Sequence, residues 1–269
     1  MSVGVVILTK GNVPMLIDCL LSITNKTVTP HTIYIGDTGS TNEEVDSLVT
    51  FIKANFKHKN IYLHIFNRYN FAKCNNYIVN NFVKEDTILL CNNDIELIDN
   101  SIDYMYNKMR CNEDIGTIGC RLLYPDNTIQ HAGQVVSIIR NTLTGRGYLA
   151  ATHRGLKTTT RYKDWEPVVG NTGGFMMISK DVYQSNGGLN ENYKECFEDV
   201  EFNLKLLSNG KCNMYTDSVS CYHKESITRG KRGMTKEMLH DHSNLLTPFF
   251  NSLDVNTKNK ILNFTSNID

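Results

Sequence analysis

At 269 residues the chain is long enough for one large α/β domain or two small ones, and it can bury a substantial core without crosslinks. Its 28 Lys and Arg balance 28 Asp and Glu, which argues against the strong positive excess of a nucleic-acid binder. The eight cysteines are scattered, with neither a C-x-x-C pair nor metal-finger spacing, so no structural zinc or thiol redox motif is indicated and a reducing cytoplasmic setting fits best. The opening MSVGVVILTKGN lacks the charged start and cleavage signal of a secretory leader, and no apolar stretch approaches the roughly 20 residues of a transmembrane helix.

The first third alternates strand and helix signals. Val3 to Leu8 is a continuous apolar strand, followed by Met15, Leu16, Cys19, Leu20 and Ile23 at helical spacing. Thr32 to Ile35 predicts a second strand, closed by the turn formers Gly36-Asp37-Thr38-Gly39-Ser40. A helical stretch around Val45 to Ala54, a third strand from Ile61 to Phe66, a helix from Ala72 to Val83 and a fourth strand from Thr87 to Cys91 complete an alternation that predicts a parallel sheet with right-handed crossovers. In such sheets ligands sit at the carboxyl ends of the strands.

Helix Ser101 to Met109 places Ile102, Met105, Tyr106 and Met109 on one face, with Ser101 as the expected N-cap, and a strand follows from Ile115 to Cys120. Asn127 to Lys163 contains no acidic residue but carries Arg140, Arg146, Arg154, Lys157, Arg161 and Lys163, and is expected to be a loop-rich insertion. From Val168 to Ile178 a β-like run is interrupted by Gly170, Gly173 and Gly174, which suggests backbone passing close to something. Helix Asp199 to Ser208 should end at Gly210, and the tail from Thr235 reads as amphipathic helix broken by Pro248.

Four polar clusters fall at strand ends or turns. Asp37 follows the second strand, where a turn aspartate is the plainer explanation. Asn92-Asn93-Asp94-Ile95-Glu96 follows the apolar fourth strand, and a carboxylate there could ligate a hard divalent ion or simply close an Asx-turn. Glu198 and Asp199 open a helix, where acidic residues favour the macrodipole but could also supply a general base. His223 precedes Arg229-Gly230-Lys231-Arg232; a solitary histidine is usually structural and a basic run usually solvated.

In series these segments resemble the family 2 glycosyltransferases of GT-A fold. VVILTKGN is similar to that family's opening strand and nucleotide-binding turn, IYIGDTGSTN to its aspartate-containing turn, NRYNFAKCNN to its asparagine and Phe-Ala helix start, and LLCNNDIEL to its Asp-x-Asp region. RLLYPDNTIQHAG is the most distinctive match, and GNTGGFMMISKDVY, GGLNENY, CFEDVEFNLKLLSNG and YHKESITRG follow in order. Lys157 to Pro167 and everything after about Thr235 fall outside the resemblance.

The resemblance implies a mainly parallel, Rossmann-like nucleotide-binding sheet flanked by helices, with a nucleotide-sugar half over residues 1–120, a smaller acceptor-side half over 121–234 and a helical extension over 235–269. It implies donor contacts from Thr9, Asp37, Asn67, Asn93 and Arg229, the last a mobile cation closing over a diphosphate. Asp94 and His223 would hold Mn2+ or Mg2+, and Asp199, with Glu198 second, would be the general base of an inverting transfer from a nucleotide sugar, UDP favoured, to a hydroxyl of a glycan or glycoconjugate. No nucleic-acid partner and no membrane span are expected, which leaves room for peripheral contact with a membrane-linked acceptor. Three departures stand out. Asn92 or Asn93 occupies the first position of the metal motif, Asn70 stands where glycine is common and suggests left-handed backbone, and Lys10 replaces a commoner aromatic or arginine near the base.

Rival classes predict different residues. A sugar nucleotidyltransferase needs a glycine-rich phosphate loop after the first strand, and TKGNVPML has one glycine. A dinucleotide-dependent oxidoreductase fails likewise, with no G-x-G-x-x-G after a strand. A scaffolding or glycan-binding protein that has lost catalysis is the alternative the Asn substitutions allow, and the joint retention of Asp94, Asp199 and His223 argues against it. Trp165, the only tryptophan, could stack on a sugar or serve as core packing or loop anchor.

Overall fold

The computed structural model describes residues 2–56, 60–140, 147–224 and 235–266. The chain begins β1 (Val3–Thr9), α1 (Val13–Lys26), β2 (His31–Asp37), α2 (Asn42–Asn55), β3 (Ile61–Ile65), α3 (Phe71–Asn81) and β4 (Thr87–Asn92). The periodicity of α1 buries Val13, Met15, Leu16, Cys19, Leu20 and Ile23 against the sheet, worth roughly 1.5–3 kcal/mol for each large aliphatic side chain. Helix α2 starts with a reciprocal capping box, in which Glu44 N–H donates to Thr41 Oγ1 and Thr41 N–H donates to Glu44 Oε2.

The second half runs β5 (Ile95–Leu97), α4 (Ser101–Met109), β6 (Ile115–Leu123), β7 (Ile129–His131), β8 (Gln134–Arg140), β9 (Gly147–His153), β10 (Glu166–Val168), β11 (Phe175–Ser179), α5 (Lys180–Ser185), α6 (Glu198–Ser208) and β12 (Cys212–His223). Helices α7 (Lys236–Asp241), α8 (Thr247–Ser252) and α9 (Val255–Ser266) close the described chain, with a π-helical turn over His242–Leu246 between the first two.

The sheet order is β10-β12-β6-β11-β4-β1-β2-β3. Strands β1 to β4 are parallel, and β12 is parallel to β6, but β11 runs antiparallel to both its neighbours, so the sheet is mixed. Register sets Thr9 opposite Asp37 and Leu8 opposite Asn92, which aligns the carboxyl ends of β1, β2 and β4. One face carries a core shared by α1, α2 and α4, and the other packs α3, α5 and α6.

Several expectations need correction. The 127–163 segment is not merely loop: β8 and β9 pair as an antiparallel ribbon, which a Gln134–Gly170 bridge links to the chain entering β11. Asn100, not Ser101, is the N-cap of α4, because the Ser101 hydroxyl donates instead to Asp99 and to the Ser220 carbonyl. Asn70 is extended, with φ −154°, and caps α3 by accepting from Lys73 N–H at 2.8 Å; among the described residues the left-handed asparagines are Asn12 and Asn127. Pro248 does not break the tail. It sits in the first turn of α8, directly after the π-helical turn over His242–Leu246, and the chain turns extended only at Leu253. Trp165 packs against the core under Lys108, whose Nζ lies 4.9 Å from the ring, which makes it a loop anchor.

Candidate active site

Two turns form the floor of the site. Asp37 is buried, and its carboxylate accepts from Gly39 N–H and Ser40 N–H, both at 3.0 Å, and from the Ser40 hydroxyl. This is the turn-aspartate role, an Asx-type closure. Ser40 Oγ in turn accepts Gly11 N–H at 2.7 Å, and Thr38 donates through both N–H and hydroxyl to the Thr9 carbonyl, so the two strand-end turns are locked together. Asn93 Nδ2 donates to Thr9 Oγ1 at 3.0 Å. Thr9, Asp37 and Asn93 thus share one end of the sheet, while Asn67 is exposed in the bend between β3 and α3.

Beside this floor Asp94 and His223 meet. The antiparallel pairing of β12 with β5 sets His223 opposite Ile95, and Asp94 Oδ1 lies 3.2 Å from His223 Nε2. Gln130 Oε1 sits 3.2 Å from His223 Nδ1, and the Asn92 amide nitrogen lies 3.2 Å from Nε2. Asp94 Oδ1 is buried without a hydrogen-bond partner. The 3.2 Å between Asp94 Oδ1 and His223 Nε2 matches the separation of about 3 Å between adjacent ligands of an octahedral ion with bonds near 2.1 Å. Among the described residues no third His, Cys, Asp or Glu joins them. A divalent ion held by two side chains and substrate phosphates fits that donor set.

The glycine-interrupted segment before β11 passes between this pair and α6. Gly174 accepts Asn92 N–H at its carbonyl, and a Cβ on it would lie 3.2 Å from both Asn92 Nδ2 and His223 Cε1. Gly173 donates its N–H to Asp199 Oδ2 at 2.9 Å, and a Cβ there would meet the Phe71 ring at 3.1 Å. Asp199 therefore lies one glycine pair away from the Asp94–His223 pair. It is half-buried, whereas Glu198 is buried. Asn203, one turn on, donates to the Asp199 carbonyl at 2.7 Å and fixes the helix start. Phe197, just before Glu198, has φ 77°, a left-handed backbone costing about 1–3 kcal/mol for a non-glycine residue and persisting only where its surroundings hold it.

The sequence reading missed Gln130 and the neighbouring His131, although both lie in its most distinctive segment. His131 Nδ1 is 2.6 Å from His153 Nδ1, and Thr172 N–H points to His131 Nε2 at 3.4 Å. Burial pushes the His131 imidazole well below its ordinary pKa, with His153, Arg154 and His223 adding repulsion, so the ring is neutral. Arg229 lies outside the described residues.

The architecture and strand-end site define a glycosyltransferase domain of GT-A fold. The model of glycosyl transferase family 2 matches residues 4–187, and the chain belongs to that family. It is 28% identical over 163 residues, 60% of its length, to the O-antigen biosynthesis protein RfbC of Myxococcus xanthus, and this matched stretch is 12% of that protein. The S. aureus TarS 1-349 structure in complex with UDP-GlcNAc is similar at a TM-score of 0.68 and 12% identity, over 99% of this chain and 72% of that one. The mannosyltransferase PcManGT from Pyrobaculum calidifontis, in complex with GDP-Man and Mn2+, gives 0.62 at 10% identity, over 99% and 73%. Likeness at such identities is one of fold. Asp199 and His223 both lie beyond the family match.

Proposed function

We propose that this chain transfers a sugar from a nucleotide diphosphate sugar, UDP favoured, to a hydroxyl of a glycan or glycoconjugate, with inversion at the anomeric carbon and Asp199 as general base. The observation that carries this reading is the Gly173–Gly174 turn, which has the Asp94–His223 pair beside one glycine and the Asp199 carboxylate bonded to the other. A donor whose diphosphate lies toward Asp94 and His223 then exposes its anomeric carbon toward Asp199. The half-buried Asp199 can accept an acceptor proton as attack proceeds from the side opposite the leaving group, which gives inversion without a covalent intermediate. Mn2+ or Mg2+ on Asp94 and His223 would neutralise charge developing on the departing diphosphate.

The test is a panel of UDP-, dTDP- and GDP-sugars assayed with Mn2+ and with chelator, on the wild-type chain and on Asp199→Asn. Turnover should require the metal and fall roughly a hundredfold to ten-thousandfold in the variant, with nucleotide affinity barely changed. Normal turnover in Asp199→Asn with loss in Glu198→Gln would move the base to Glu198. Product NMR showing retained configuration would remove the inverting mechanism.

A further inference from the structure

The C-terminal helices do more than cover α6. Asp241, fully buried at the end of α7, accepts three consecutive backbone N–H groups on its Oδ2: Lys194 at 2.9 Å, Glu195 at 2.8 Å and Cys196 at 3.3 Å. Successive amides converging on one anionic oxygen form a nest, a strong and directional way to fix a loop. The grip is reinforced on both sides. Thr235, which caps α7 by accepting Met238 N–H, donates its hydroxyl to the Glu195 carboxylate, and the His242 ring meets the Phe197 ring edge-on at 5.6 Å. Beneath them Leu246, Phe250 and Ile261 pack with Val200, Leu204 and Leu207 of α6.

The loop so held leads directly into Phe197, with its left-handed backbone, and then into Asp199. A non-glycine residue keeps that conformation only when its neighbours impose it. We infer that Asp241 is a positioning residue: it clamps residues 194–196, the clamp holds Phe197 left-handed, and Phe197 in turn aims the Asp199 carboxylate at Gly173. The inference deepens the reading of Asp199 as general base and rests on it for its catalytic consequence. The C-terminal segment is on this account a working part of the site, although it lies outside the family match.

The experiment compares the full chain with Asp241→Ala, Asp241→Asn and the double variant Asp241→Ala/Phe197→Gly. Amide hydrogen exchange is read at residues 194–196, at Gly173 and, as a folding control, at Leu89 to Cys91. Loss of the clamp should deprotect 194–196 and also Gly173, whose N–H is held by Asp199, while β4 stays protected. Turnover of whichever UDP-sugar the panel selects should fall on the order of tenfold to a hundredfold, the effect of a misplaced catalytic group, with KM for the donor and affinity for UDP with Mn2+ unchanged. Asn keeps one acceptor oxygen and should recover part of the loss; glycine at 197 adopts positive φ without strain and should recover more. If Asp241→Ala frees 194–196 but leaves Gly173 protected and turnover normal, Asp241 only tethers the tail and the inference fails. If Asp241→Ala unfolds, the same Gly173 comparison in Asp241→Asn and Thr235→Ala decides. Normal turnover in Asp199→Asn would remove the base assignment instead, and Gly173 exchange would still report whether the clamp acts on Asp199.

Discussion

Replacing Asp94 by asparagine changes the chemistry of the buried end of the site while keeping its shape. In the wild-type chain Asp94 Oδ1 is buried, lacks a hydrogen-bond partner and lies 3.2 Å from His223 Nε2, and an unsatisfied buried acceptor costs about 1–3 kcal/mol. An amide nitrogen at that position donates into Nε2 and replaces the penalty with a hydrogen bond. Asn92 Nδ2, also 3.2 Å from Nε2, competes for the same lone pair and limits the gain, so we take about 2 kcal/mol. At roughly 2 °C per kcal/mol for a chain of this size, metal-free Asp94→Asn should melt about 4 °C above wild type. The order should reverse with ligand. Mn2+ and UDP at a hundred times their dissociation constant stabilise the wild type by about 2.7 kcal/mol, or about 5 °C, and should add far less to a variant that has lost its carboxylate ligand. Differential scanning calorimetry with chelator, with Mn2+ alone and with Mn2+ and UDP reads both effects. A variant that melts below wild type in chelator, yet gains equally from Mn2+ and UDP, would show that Asp94 is a structural residue and that the cation lies elsewhere.

Two further perturbations test the surroundings. Gly174→Ala puts a Cβ 3.2 Å from both Asn92 Nδ2 and His223 Cε1, so it should cost about 1–3 kcal/mol of stability and, by shifting a ligand through its support, weaken Mn2+-dependent UDP binding by roughly tenfold or more; calorimetric affinity equal to wild type would refute this. His131 has a folded pKa held well below the ordinary value by burial first and by His153, Arg154 and His223 next. Its contribution is therefore present above the unfolded value near 6.5 and lost as pH falls below it, at up to about 1.4 kcal/mol per pH unit. Urea midpoints between pH 7.5 and 5 should fall more steeply in wild type than in His131→Gln, and equal slopes would remove His131 as the source.

The first half of the fold was legible because its signals are local. Apolar runs and 3.6-residue spacing locate β1, β4 and α4 within a residue and α1 within three, and Thr41 with Glu44 even spells out a capping box that the periodicity alone did not need. What escaped is non-local. The antiparallel β11 carries no mark of its direction, since a strand buried on both faces reads the same either way. The β8–β9 ribbon hides in a basic segment that read as a loop-rich insertion, though Arg154 is buried, bonding the Ala132 carbonyl and pairing with Glu166 at 2.7 Å. At the site, Asp94 and Asp199 stand out as carboxylates at element ends, but Gln130 is an ordinary polar residue until the fold sets it against His223. Asp37 shows the opposite case, a conspicuous aspartate whose visible work is to close its own turn.

The position of β12 bears on how the chain reaches its folded state. Strands β1 to β4 lie together as β4-β1-β2-β3 and are complete by residue 92, so this portion can pair as it emerges from the ribosome. Strand β6, in contrast, needs β12 on one side, and the two join Ile115 with Cys212 and Leu123 with Tyr222. Such long-range parallel pairing is slow, because a large loop must close before any contact is made. Until residue 223 has been synthesised, β6 presents an open edge of a kind that invites pairing with other chains. The same late strand delivers His223. Assembly of the sheet and completion of the site are thus one event, and slow-folding variants of β12 should accumulate a half-formed sheet that aggregates before His223 is ever set beside Asp94.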